Sequence, residues 1–106
     1  MHKCYRYIMG EGIEEISEEL RWSIMLSLHV RLEKSKVSFI EICIHETMSL
    51  NDIPRIVEVV TTNEFKDVID LLMHITKLLE KYGVENWKEK FEIYISESEI
   101  ILNVLL

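Results

Sequence analysis

The chain has 106 residues, 48% of them hydrophobic, and a formal net charge of −7. That length bounds it to one domain, residues 1–106, with a single modest core, and the apolar content sets it apart from disordered chains. Lys and Arg are scattered without a basic cluster, which disfavours binding to nucleic acid or to anionic membranes, and no apolar run approaches the ~20 residues of a membrane-spanning helix.

The N-terminal MHKCYRYIMGEG lacks a signal peptide's apolar core and small-residue cleavage site, so the chain reads as intracellular and cytoplasmic. Ala and Gln are absent, Asn is scarce, and Ile and Glu are abundant. Such a choice resembles that of hyperthermophile proteins, although an AT-rich genome produces a similar Ile and Lys bias. A thermophilic microbe or its virus is one source that fits this composition; an AT-rich genome is the other explanation.

Residues 3–9 read as a strand with Tyr5, Tyr7 and Met9 on one face. Gly10, Glu11 and Gly12 form a turn. They do not make a phosphate loop, because a third glycine is missing and Glu11, Glu14 and Glu15 repel phosphate. Residues 12–20 predict a short helix with Ile13, Ile16 and Leu20 facing inward and its glutamates near the positive end of the helix dipole. The acidic run is a solvated face on this reading; the sharper alternative is a docking surface for a basic partner.

Residues 22–47 predict one long β-hairpin. Ile24, Leu26, Leu28, Val30 and Leu32 alternate with Met25, Ser27, His29 and Arg31, and Ile40, Ile42 and Ile44 alternate with Phe39, Glu41, Cys43 and His45. A period of two marks strands with one buried face. Folding about Ser35 pairs Val30 with Ile40, Leu28 with Ile42 and Leu26 with Ile44; a slip of one residue would set Leu28 against Glu41. Residues 13–33 also fit a long helix at Ile13, Ile16, Leu20, Ile24 and Leu28. On that helix Trp22, Leu26 and Val30 would fall on the wrong side, so the strand is preferred.

Asp52 followed by Ile53 and Pro54 resembles a helix start, and residues 53–60 are read as a short helix, with a strand as the alternative. Residues 63–82 predict a longer helix. Phe65, Val68, Ile69, Leu72, Ile75, Leu79 and Tyr82 form its apolar stripe, Thr61 and Glu64 suit a capping box, and Gly83 suits a C-terminal cap. A connector with Trp87 leads to a second hairpin, pairing Phe91 with Val104, Ile93 with Leu102 and Ile95 with Ile100. Its last strand also carries Ile101 and Leu105 on the reverse face. A strand apolar on both sides is central in its sheet or pressed against another subunit, which leads to the expectation of a homodimer.

The expected fold class is α+β: an antiparallel sheet of four to five strands in two hairpins with helices packed on one face, an order compatible with a ferredoxin-like arrangement. On the hairpin register His29, Glu41, Cys43 and His45 share one face. Imidazole, thiolate and carboxylate are zinc ligands, and a cysteine beside a histidine can act as a nucleophile. Against this, adjacent positions on a flat strand lie ~7 Å apart, and the plain reading is a polar outer face with Cys43 as a small hydrophobe. The two cysteines lack the spacing of a structural zinc site, and a Cys4–Cys43 bridge becomes available if the first strand lies beside the one that carries Cys43. No cofactor is called for, with zinc as the one candidate. No hydrolase, phosphate-loop or calcium-loop motif is found, and enzymatic activity is not the expectation. The leading reading is a small acidic protein–protein interaction module, a regulator, inhibitor or complex subunit. Its partners would be a second copy and another protein, with Trp22, Trp87, Ile101 and Leu105 as candidate interface residues. The alternative is a metal- or ligand-binding protein or enzyme that uses the face of His29, Glu41, Cys43 and His45.

Overall fold

The long hairpin is the centre of the molecule. In the structure, a computed structural model that describes residues 2–45, 53–82 and 87–106, strands β3 (Ile24–Glu33) and β4 (Lys36–His45) pair as the alternation requires. Leu26 faces Ile44, Leu28 faces Ile42 and Val30 faces Ile40. The turn solves the absence of Gly or Asn directly: Lys34 and Ser35 both take positive φ, 48° and 69°, the backbone of a tight hairpin turn. Ser38 is then an extra residue beside Arg31 and Leu32, a β-bulge that reconciles the turn with the apolar register.

Strands β1 (His2–Ile8) and β6 (Glu99–Leu105) add to either side of this hairpin, and β2 (Gly12–Ile16) and β5 (Phe91–Ile95) form the two edges. The result is a six-stranded antiparallel sheet in the order β2-β1-β4-β3-β6-β5. Helices α1 (Ile53–Thr62) and α2 (Val68–Lys81) pack on one face, α1 over β4 and α2 towards β6, and a 3-10 turn at Trp87–Glu89 leads into β5. The core lies between helices and sheet. Leu26, Ile42, Leu71, Ile100 and Leu102 are at most 1% exposed.

Four expectations are corrected. Residues 12–16 are a strand, not the start of a helix. Gly10 and Gly12 adopt φ of +86° and +83°, turning the chain back so that it pairs with β1, and Ile13 and Ile16 then point to opposite faces beside Tyr7 and Cys4. The sheet accordingly has six strands rather than four or five. Both described helices lie in one connection, between β4 and β5, which differs from the βαββαβ order of a ferredoxin-like arrangement. The long helix begins at Val68 rather than at residue 63. Asp67 caps it, accepting from the Asp70 N–H at 2.8 Å, while the Asp70 carboxylate accepts from the Lys66 N–H at 3.0 Å. Thr61 belongs to the end of α1, where its hydroxyl donates to the Val57 carbonyl at 2.8 Å. The expected caps at Asp52 and Gly83, and residues 84–86 of the connector, lie outside the described residues.

Burial sets the cost of changing this arrangement. Leu26→Ala should lower unfolding free energy by about 2–5 kcal/mol, as expected for a buried Leu truncated in a core. Trp22→Ala, at a side chain 86% exposed, should stay within about 0.5 kcal/mol. Denaturant unfolding of the two variants measures both.

Candidate functional site

The sheet face opposite the helices carries the polar residues of β1, β4, β3 and β6, and here the register determines who meets whom. Arg6 on β1 stands opposite Glu41 on β4, and its guanidinium donates from Nε and Nη2 to one carboxylate oxygen at 3.0 and 2.9 Å. A second contact at 3.4 Å reaches Glu18. The hydrogen bond and charge of Glu41 raise the Arg6 pKa further, so this cation is permanent.

His29 faces Glu41 in the ladder but turns the other way. Its Nε2 lies 2.9 Å from Glu99 Oε2 on β6, the same oxygen that accepts from Arg31 Nε at 3.1 Å. The His29 hydrogen bond first, and the Arg31 hydrogen bond after it, hold the Glu99 carboxyl below the usual carboxylate range. Phe39 lies beneath this group, its ring edge-on to His29 at 5.2 Å and 4.9 Å from the Arg31 guanidinium carbon.

Cys43 stands directly across from Cys4 on β1 and is bonded to it in a disulfide. Both cysteines are buried, and the chain leaving β2 passes above them, with the Glu18 carbonyl 3.8 Å from Cys4 Sγ. A zinc site or a nucleophile needs a thiolate at Cys43, and the bridge removes it. His45 sits opposite His2, their rings 5.6 Å apart and edge-on. The four residues singled out from the sequence therefore share the face, as the alternation required, but each meets a different neighbour: His29 meets Glu99, Glu41 meets Arg6, Cys43 meets Cys4 and His45 meets His2. Among the described residues, no group of three or more His, Cys, Asp or Glu is placed to hold a metal ion.

The candidate interface residues divide. Trp87 is core, 6% exposed, with its ring 5.6 Å from Phe91. Ile101 and Leu105 are half-buried on the face away from the helices, on β6 between β3 and β5. Trp22 is the exposed one, at 86%.

A different apolar surface is present that sequence reasoning assigned to the interior. Phe91, Ile93 and Ile95 project to the helix-covered side of the sheet, opposite buried Val104, Leu102 and Ile100. Edge strand β5 nevertheless stands beyond the helix layer, and the three remain 39–41% exposed. Ile69 and Met73 on α2 are also exposed, at 54% and 55%. Phe65 N–H bonds the Ser35 carbonyl and Leu32 N–H bonds that of Ser98, which sets the start of α2 and the β5–β6 turn at the same end of the sheet. The strand alternation contained Phe91, Ile93 and Ile95 and the helical stripe contained Ile69, while Met73 lay outside it; the signal missing from the sequence was how far the sheet extends past its helices. Between the helices themselves a cavity of about 140 Å³ opens, lined by Val59, Phe65, His74, Lys77, Leu78 and Lys81 among others. His74 Nδ1 lies 2.8 Å from the Asp70 carbonyl of its own helix.

Compared with protein-family models, curated proteins and solved structures, the chain matches none.

Two measurements check this face. A thiol assay on the unfolded, unreduced protein should find no free cysteine, and Cys4→Ser/Cys43→Ser should lower stability by about 2–4 kcal/mol by freeing the intervening loop in the unfolded chain. Glu99, with its lowered pKa, contributes stability that is present above the usual carboxylate range and lost as pH falls through its folded-state value. Glu99→Gln should therefore flatten the acid limb of a Tm-against-pH curve, and the two proteins should converge in strong acid. Parallel curves would show that the pairing stabilises nothing.

Proposed function

We propose that this protein is a small acidic interaction module that works by docking rather than by catalysis, as a regulator, inhibitor or subunit that associates with itself and with another protein. The observation that supports this most directly is edge strand β5, where Phe91, Ile93 and Ile95 are 39–41% exposed on one face, with Ile69 and Met73 exposed on α2 as well. Large apolar side chains left exposed along a sheet edge are a common mark of an interface. The net charge of −7 favours a partner with a basic rim over a nucleic acid.

The alternative, a ligand or metal site on the face of His29, Glu41, Cys43 and His45, gains no support from the geometry, since Cys43 is in the disulfide and Arg6 and Glu99 occupy Glu41 and His29. Of the described helices, none is long and apolar enough to cross a membrane. The Cys4–Cys43 disulfide and the amide-poor composition together fit the cytosol of a hyperthermophile, where intracellular disulfides occur.

Ile69→Ser/Met73→Ser tests the reading. Both side chains are more than half exposed, so each substitution should change stability by no more than about 0.5 kcal/mol. Sedimentation velocity across a range of concentrations should show association of the native protein and its weakening in the variant. A native protein that stays monomeric throughout, and that retains no defined partner on purification from its own host, would contradict the proposal.

A further inference from the structure

The two edges of the sheet differ in a way that points to a specific partner. Edge strand β2, GIEEI, is flanked by Glu11 and Glu18 and carries Glu14 and Glu15. Pairing it with itself about Glu14 would bring carboxylates face to face, the usual protection of an exposed edge. Edge strand β5, FEIYI, has a single charge within it, Glu92, and that carboxylate is held by Arg21 at 2.8 Å.

The backbone of β5 is arranged to extend the sheet. Ser96 N–H donates to the Glu99 carbonyl and Leu105 N–H to that of Lys90, both at 2.9 Å. In an antiparallel ladder the hydrogen-bonding direction alternates. Residues 90, 92, 94 and 96 therefore turn their N–H and C=O groups towards β6. Phe91, Ile93 and Ile95 turn theirs outward, away from the sheet. The same three residues thus carry the outward-facing backbone groups and the exposed apolar side chains.

We propose that β5 pairs antiparallel with β5 of a second copy of this chain, centred on Ile93, so that the two six-stranded sheets become one continuous sheet. This rests on the interaction reading and names its first partner. Three centres of symmetry compete. Centring on Glu92 sets the two Glu92 carboxylates against each other. Centring on Tyr94 sets Phe91 opposite Glu97. Centring on Ile93 matches Phe91 with Ile95 of the second copy and Ile93 with its own counterpart, all apolar and on one face. On the other face it matches Glu92 with Tyr94 and Lys90 with Ser96. In that register like charges do not meet between residues 90 and 96, and every outward N–H and C=O of residues 91, 93 and 95 finds a partner.

Single-cysteine trapping reads the register. Backbone pairs at the centre of an antiparallel seam lie ~5.5 Å apart at Cα, within disulfide reach, whereas residues offset by two positions do not. Under mild oxidation Ile93→Cys should form a covalent dimer at least about tenfold faster than Glu92→Cys or Tyr94→Cys, with the 93–93 link identified by peptide mass. Ile93→Pro is the second variant. It removes an N–H that points away from β6, so the internal ladder stays whole and the circular dichroism should be unchanged while the dimer is lost. Faster trapping at residue 92 or 94 would overturn the register. A dimer that persists in Ile93→Pro, with no trapping at 92, 93 or 94, would overturn the β5 seam and leave the interaction reading standing on another surface. A native protein that is monomeric at every concentration would overturn self-pairing outright, and the broader reading would then stand or fall on a different protein partner.

Discussion

The alternating apolar face of the β3–β4 hairpin is the constraint on which the rest of this structure depends. Six side chains, Leu26, Leu28 and Val30 opposite Ile44, Ile42 and Ile40, are each no more than 4% exposed and form the floor that both helices cover. Because side chains on a strand alternate strictly, burying these six also decides what the opposite face holds. The same alternation places His29, Glu41 and Cys43 on that opposite face. Once β1 and β6 are added, their neighbours follow from the ladder: Arg6 beside Glu41, Cys4 beside Cys43, and Glu99 within reach of His29.

This explains which features were legible in the sequence. Both hairpin registers could be read residue by residue, since a period of two leaves one sensible pairing when a single face is buried. The capping of the long helix was misplaced because Thr61 and Glu64 have the spacing of a capping box. In the fold Thr61 donates to a carbonyl at the end of α1, and the working cap is Asp67 with Asp70. The strand at Gly12–Ile16 was hidden by its own composition, glutamates beside isoleucines, which imitates the exposed and buried sides of a short helix. Its true partner is β1, and the two glycines of positive φ bring it there.

The candidate site was legible as a shared face and illegible as chemistry. Alternation on one hairpin places His29, Glu41, Cys43 and His45 together but is silent on the strands either side, and those strands supply the residues that each of them meets. The disulfide shows what was missing. Its two cysteines are 39 positions apart, the sequence offered their bridge only on condition that the first strand lay beside the one carrying Cys43, and the pairing of β1 with β4 meets that condition. The apolar edge was hidden for a related reason. Phe91, Ile93 and Ile95 have the alternation of a buried strand, and their exposure comes from a sheet that reaches beyond its helix layer. Local sequence does not encode how much of a sheet its helices cover. The surface left at that edge joins outward-facing hydrogen-bonding groups to apolar side chains, whereas the other edge carries carboxylates.

The central claim is that β5 is an associating edge whose outward backbone groups are satisfied by another strand. Amide hydrogen exchange, followed residue by residue on dilute and concentrated protein, tests it most directly. Glu92 and Tyr94 turn their N–H groups inward to β6 and should be protected at every concentration. Phe91, Ile93 and Ile95 should exchange freely in dilute solution and gain protection as the protein is concentrated. If those three amides remain unprotected at all concentrations while protection grows at the β2 edge or elsewhere, the account of β5 is contradicted.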